Sequence, residues 1–106
     1  MELEQLFSIL NSSGVPFRYH SWPSGSWPKP PYGVYLRTRT NSMYADGKHY
    51  LTINHFQVEL YTVAKDLETE RKVEQALTAA EIPWAVTSET YLEDEGLFEV
   101  LYEIEV

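Results

Sequence analysis

An Asp-Gly step at positions 46 and 47 constrains the fold of this chain more than any other feature of its sequence. The step lies between two runs of alternating residues, 34–40 and 51–60. A two-residue type I′ turn needs φ > 0 at both central positions, and Asp-Gly accepts these angles. The sequence therefore predicts a β-hairpin with three residue pairs: Tyr44 with His49, Ser42 with Leu51, and Thr40 with Ile53.

The apolar residues of the second strand change phase, which predicts an irregularity in this hairpin. Leu51 and Ile53 occupy odd positions, whereas the apolar residues that follow occupy even positions: Phe56, Val58, Leu60. One extra residue, a β-bulge, keeps both sets on one face, and we place it at Asn54-His55. Beyond the bulge the predicted pairs are Thr38 with Phe56, Leu36 with Val58, and Val34 with Leu60.

A second hairpin is predicted near the C-terminal end of the sequence. A loop of three residues, Asp94-Glu95-Gly96, with a left-handed Gly96 is a common turn-plus-bulge connection. It pairs Leu92 with Phe98 and Trp84 with Val106, and it turns the glutamates of the last strand away from the core: Glu99, Glu103, Glu105.

Two helices are predicted from apolar residues at helical spacing. One stripe contains Leu3, Leu6, Phe7 and Leu10. The other follows an N-cap at Asp66 and contains Leu67, Val73, Leu77 and Ala80.

The order of these elements predicts an α+β fold. Pro16 restricts the segment before the loop to a short edge strand. We expect a largely antiparallel four- to five-stranded sheet built from two β-hairpins, with two helices packed on one face. The length of 106 residues indicates a single domain, 1–106.

Residues 21–31, SWPSGSWPKPP, form the one long irregular segment. Trp22 and Trp27 each precede a proline, which favours extended backbone at both tryptophans. The loop either folds back to cap the core or presents its tryptophans to a partner as a stiff contact surface. Both interpretations stay open at this point.

Few residues of the sequence indicate chemistry. The chain has no cysteine, and His20, His49 and His55 show no recognised metal-ligand spacing. The two latter histidines are expected to be strand residues that face solvent. We expect no enzyme activity, no cofactor and no membrane-spanning segment, in a soluble intracellular protein.

The charges are divided along the chain, although the net charge is −8. Residues 13–48 contain five Lys or Arg and one acid, whereas residues 73–106 contain nine acids and no Lys or Arg. Such a chain can place a basic surface against an acidic surface of a neighbouring copy. The candidate interface residues, from these charges and from the loop, are Trp22, Trp27, Arg37, Arg39, Lys48, Glu93, Asp94 and Glu95.

The sequence from Pro31 onward resembles a family of phage proteins. The segments that carry the resemblance are PYGVYL, YADGKHY, FQVELYTVAKDLETERKVEQAL and TSETYLEDEGLFEVLYEIEV. They look like the small tail-completion or tail-terminator proteins of long-tailed bacteriophages and prophages. The piece that matters most is a strand, FQVELYT, that runs directly into an Asp-capped, Glu-rich helix. The 21–31 loop has no counterpart that we place in that family.

The resemblance implies a structural protein of the virion neck, assembled in the bacterial cytoplasm. Its copies would form a ring, typically a hexamer, that ends tail-tube polymerisation and joins the tail to the head. The partners would be the tail-tube protein and a head-completion or connector protein, with DNA only passing through the lumen. One alternative is another head–tail connector or a minor capsid component. An alternative from another class is an acidic inhibitor that mimics nucleic acid.

Overall fold

Two helices and five strands make up the fold of the described residues. The computed structural model describes the backbone of residues 1–45 and 48–106, and the side chains of residues 1–40 and 53–106. The elements in chain order are α1 (Leu3–Asn11), β1 (Phe17–Tyr19), β2 (Tyr32–Ala45), β3 (Lys48–Thr62), α2 (Leu67–Ala79), β4 (Trp84–Leu92) and β5 (Leu97–Glu105).

The strands form one sheet in the order β1-β2-β3-β5-β4. All neighbouring strands are antiparallel except β1 and β2, which are parallel. β1 is a short strand at the sheet edge, as Pro16 predicts. The α+β prediction, with a mostly antiparallel sheet built from two hairpins, is therefore confirmed.

Both helices pack on one face of the sheet, where they enclose the core. Leu6 and Leu10 of α1 and Val73 and Leu77 of α2 are buried. They belong to one cluster with the even-numbered apolar residues of β3 and β5: Phe56, Val58, Leu60, Val100, Tyr102, Ile104. We call the opposite face of the sheet, which carries the odd-numbered residues of these two strands, the outer face.

The inward stripes of the helices are narrower than predicted. Leu3 and Phe7 of α1 are 47% and 46% exposed, and Leu67 of α2 is 64% exposed. All three were predicted to face the core. Of the nine residues of α1, only Leu6 and Leu10 are buried, so the helix packs through one narrow face. Leu67 is the first residue of α2 and directly follows the N-cap Asp66, so it lies at the end of the helix.

The predicted face of β2 is wrong, because the bulge lies elsewhere. Tyr35 pairs with Val58 and joins the core, whereas Val34 pairs with Glu59 on the outer face. The register shifts at Thr38 of β2 and at Tyr50 of β3, not at Asn54-His55. β3 alternates without interruption between these shifts, so Ile53 lies on the opposite face from Phe56.

These two shifts also change the residue pairs of the first hairpin. The Tyr44–His49 pair is confirmed. The five other predicted pairs are wrong by one residue, since the observed pairs include Ser42 with Thr52, Thr40 with Asn54, Arg37 with Phe56, and Gly33 with Leu60. The predicted Asp46-Gly47 turn itself lies outside the described residues.

The second hairpin is displaced by one residue from its predicted register. Leu92 pairs with Leu97, so the turn has four residues, 93–96, instead of three. Gly96 has the predicted left-handed conformation, with φ of 65°. A further shift at Thr87 places Trp84 opposite Ile104 instead of Val106. The glutamates of β5 lie on the outer face, as predicted.

Neither described helix is long and apolar enough to cross a membrane.

Candidate interaction site

The β2–β3 hairpin extends beyond the rest of the sheet. β1 pairs with β2 only at residues 33–35, and β5 pairs with β3 at residues 55–62. Among the described residues, those at 41–45 and 48–53 therefore pair only with each other across the hairpin. We call these two ranges the hairpin arm. The longest dimension of the described molecule is 52 Å, against 28 and 24 Å for the other two.

The backbone along both edges of the hairpin arm has no strand neighbour in the described part of the chain. Unpaired N–H and C=O groups on a strand edge are a template for pairing with another chain. A peptide or a second copy can add a strand to such an edge by main-chain hydrogen bonds. The arm is therefore a candidate surface for contact with another molecule, as is the outer edge of β4.

The two arginines that were predicted to share an interface lie on opposite faces. The bulge at Thr38 separates Arg37, which pairs with Phe56, from Arg39, which pairs with His55. Arg37 is exposed on the helix side, where it lines a pocket of about 230 Å³ with residues of α1 and β1. Lys48 pairs with Ala45 at the far end of the arm, and its side chain lies outside the described residues.

Arg39 is bound within the chain. Its guanidinium lies 3.2 Å from Glu103 Oε1 on the outer face, and His55 Nδ1 lies 3.1 Å from the same oxygen. His55 is only 3% exposed, so the prediction that it faces solvent is wrong. Glu103 therefore joins β2 to β5 across β3. In the part of the chain that the structure describes, no group of three or more His, Asp and Glu side chains is arranged to hold a metal ion.

The two tryptophans of the 21–31 loop have different roles in the structure. Trp22 is half-buried, and its indole Nε1 donates a hydrogen bond of 3.0 Å to the Gly33 carbonyl. Trp27 is 52% exposed, and its ring lies 5.5 Å from that of Tyr32. The loop thus caps β2 through Trp22 and leaves Trp27 accessible.

Trp27 and Glu95 are the predicted site residues that the structure brings together. They line a pocket of about 270 Å³ with three residues that sequence reasoning missed: Tyr32, Tyr61, Leu97. We call it the aromatic pocket. It lies at the β4–β5 turn, opposite to the hairpin arm, because Tyr32 pairs with Tyr61 and Thr62 pairs with Phe98. Glu93 and Asp94 are exposed in the same turn.

Two carboxylates lie within hydrogen-bond distance of Tyr61, which forms one side of the aromatic pocket. The Tyr61 hydroxyl lies 2.6 Å from Glu59 Oε1 and 2.9 Å from Glu99 Oε2. It carries one proton and donates to one of these oxygens at a time. Burial, followed by these two hydrogen bonds, raises the pKa of Tyr61 well above its ordinary value. Burial, and then the charge of Glu95, also raises the pKa of Tyr32.

The pocket was missed because its walls come from elements far apart in sequence. Tyr32 was assigned to no face, and Tyr61 was left out of the predicted pairs. The signal that could have found them is the alternation of β3, which places Glu59 and Tyr61 on the outer face together. With the 21–31 loop folded over the same face, an aromatic and acidic cluster follows.

Comparison with known proteins gives this chain no family. No protein-family model matches the sequence, and no curated protein matches it.

Proposed function

We propose that this protein is a tail terminator of a long-tailed bacteriophage or prophage, a structural neck protein that forms a ring. The observation that carries the proposal is the hairpin arm, which extends away from the sheet with unpaired edges. An arm of this kind reaches a neighbouring copy without disturbing the core. The resemblance of the sequence from Pro31 onward to tail-terminator proteins supports the same function.

The arm and the acidic turn lie at opposite ends of the sheet, which favours a head-to-tail contact. Such a contact uses two different surfaces of each copy, and it closes into a ring when the rotation between copies allows. Arg37 lies near the base of the arm, and Glu93 to Glu95 form the turn at the other end. Arg39 contributes less than its charge indicates, because Glu103 already binds its guanidinium.

An acidic inhibitor that mimics nucleic acid fits the outer face less well. Such an inhibitor presents carboxylates that are available to a basic groove. On the outer face, Glu103 contacts Arg39 and His55, while Glu59 and Glu99 contact the Tyr61 hydroxyl. These three carboxylates already have partners within the chain, which reduces their attraction for a basic groove. We therefore rank the neck protein above the inhibitor.

Mass photometry and negative-stain electron microscopy test the proposal directly. We expect closed rings of one copy number, formed alone or on addition of the tail-tube protein. The rings should bind one end of the tail tubes and stop their growth. A protein that stays monomeric with tail tubes and does not change their length distribution would contradict the function. Another neck component would form rings that bind the head connector but leave tube growth unchanged.

A further inference from the structure

We propose that the aromatic pocket binds the guanidinium group of an arginine side chain from another protein chain. The pocket combines three aromatic rings with one carboxylate at its rim, from Trp27, Tyr32, Tyr61 and Glu95. This combination is the one that recognises organic cations in proteins, because the face of an aromatic ring is electron-rich. The inference does not depend on ring assembly or on the identity of the partner.

The three rings form a continuous aromatic wall. The Trp27 and Tyr32 rings lie 5.5 Å apart with an angle of 60° between their planes. The Tyr32 and Tyr61 rings lie 5.3 Å apart at 33°. Tyr32 is buried between its two neighbours, whereas the exposed Trp27 offers ring surface at the entrance. A cation that enters the pocket therefore meets indole, the aromatic system that binds cations best.

Carboxylates on two sides of this wall strengthen its attraction for a cation. The Tyr61 hydroxyl donates to Glu59 or Glu99, which increases the electron density of its ring. Glu95 lies at the rim and is exposed, so its oxygens can turn toward a ligand. Among the residues that the structure describes, no Lys or Arg lines the pocket to compete for these charges.

The shape of the site favours arginine over lysine. A guanidinium is planar and stacks on aromatic faces, and its fork of N–H donors matches a carboxylate at two points. The site offers both partners at once, a ring face at Trp27 and a carboxylate at Glu95. An ammonium is compact and strongly hydrated, so it gains less from the flat aromatic wall.

NMR titration of the indole N–H resonances tests the site with small probes. The probe is N-acetyl-arginine amide, and its control is N-acetyl-citrulline amide, which has nearly the same shape without the charge. We expect saturable shifts of the Trp27 indole resonance with the arginine probe, and at least about five-fold weaker binding of the citrulline probe. The Trp22 and Trp84 resonances serve as internal references.

Two pairs of variants separate the pocket from general acidity. Trp27→Ala should weaken binding of the arginine probe about five-fold, and Trp27→Phe should restore part of it. The matched control is Tyr91→Ala, at an exposed aromatic residue outside the pocket. Glu95→Gln should weaken binding about two- to five-fold at low salt, whereas Glu93→Gln, in the same turn, should not.

Several outcomes would overturn the inference. Equal binding of the citrulline and arginine probes would indicate an apolar site without charge recognition. Equal losses for Glu93→Gln and Glu95→Gln would indicate attraction by net charge alone. Tighter binding of choline than of the arginine probe would assign the site to quaternary ammonium ligands instead. Free arginine that binds more tightly than its acetylated amide would assign it to an amino acid and not to a protein partner.

Discussion

Gly33 determines how β1 packs on β2, because its missing side chain leaves room for an aromatic ring. Phe17 is its cross-strand partner, and the Phe17 ring occupies the space that a Cβ at position 33 would need. An added Cβ would also lie 2.7 Å from the Glu59 carbonyl oxygen. The ring therefore covers the glycine, and Tyr35, two residues further on, lies on the same face of β2 and joins the core.

Gly33→Ala should destabilise the protein, since the new methyl group meets both a buried ring and the backbone. We expect a loss of about 1–3 kcal/mol in the free energy of unfolding, measured with urea. In the double variant Gly33→Ala with Phe17→Leu, the clash with the Phe17 ring is relieved but the clash with the Glu59 carbonyl oxygen remains. The double variant should therefore recover only part of the lost unfolding free energy. A single variant as stable as the original chain would contradict this packing.

Tyr102 makes the fold less stable as pH rises in the alkaline range. The residue is fully buried, and its hydroxyl donates a hydrogen bond of 2.7 Å to Glu74 Oε2. Burial, followed by this hydrogen bond, raises the pKa of Tyr102 in the folded state above its ordinary value of 10.0. The unfolded chain therefore binds fewer protons than the folded chain above about pH 10, and stability decreases as pH rises from there.

Tyr102→Phe should lower stability at neutral pH and reduce its alkaline dependence. The lost hydrogen bond to a carboxylate is worth about 1–2 kcal/mol, because Glu74 is only half-buried and regains water. Above about pH 10 the slope of unfolding free energy against pH should become shallower by up to about 1.4 kcal/mol per unit. Urea unfolding across this range measures both effects, and Tyr91→Phe is the exposed control. An unchanged slope would show that Tyr102 is not protected from ionisation.

The start of α2 depends on one side chain outside the helix. Asp66 accepts hydrogen bonds from the Thr69 amide, at 3.1 Å, and from the Thr69 hydroxyl, at 2.6 Å. The hydroxyl bond and then the amide bond lower the pKa of Asp66 below 3.8. A carboxylate whose pKa is lower in the folded state stabilises the fold at pH values above its ordinary pKa. This stabilisation is lost as the pH falls through the pKa of the folded state.

Asp66→Ala should therefore lower the melting temperature at neutral pH, and the difference from the original chain should narrow in acid. Asp66→Asn keeps an acceptor oxygen and should restore much of the loss, since asparagine is also a good N-cap. Glu68→Ala, in the same turn, controls for the loss of one negative charge. Thermal unfolding followed by circular dichroism measures all three variants. If the difference in melting temperature between Asp66→Ala and the original chain stays constant from neutral pH to about pH 2.5, the capping role is contradicted.

Local signals predict the elements of this fold well, and they predict its register poorly. The Asp66 cap, the left-handed Gly96 and the Tyr44–His49 pair depend on neighbouring residues, and the sequence indicates all three correctly. The face of β2 depends on where its bulge lies, and the bulge is at Thr38, between the pairs with Phe56 and His55 of β3. No periodicity within β2 indicates that position.

The same limit explains the candidate site. Trp27 and Glu95 could be singled out by residue type and charge, but their proximity depends on how the 21–31 loop folds over the outer face. Arg37 and Arg39 are equivalent by alternation, and the bulge at Thr38 places them on opposite faces. Long-range pairing decides which predicted residues meet.

The opposite charges of Arg37, near the base of the arm, and of the acidic turn, 93–95, give the proposed ring a dependence on salt. Charges that attract each other across an exposed contact are screened over about 10 Å at 0.1 M salt and about 3 Å at 1 M. If the arm of one copy meets the acidic turn of the next, rings should dissociate into monomers as sodium chloride rises. A contact held mainly by apolar residues would not weaken in this way.

Arg37→Glu tests this contact more cleanly than Arg39→Glu. Arg37 is exposed near the base of the arm, whereas Arg39 is already bound to Glu103, so its reversal also disturbs an internal ion pair. Mass photometry at fixed protein concentration should show fewer rings for Arg37→Glu, and reversal of Glu93 and Glu95 to Lys in the same chain should restore them. Arg18→Glu, outside the arm, controls for net charge. Rings that persist unchanged when Arg37 and Arg39 are both replaced by Glu would exclude the charged contact. Removal of residues 41–53 would then show whether the backbone of the arm holds the ring together.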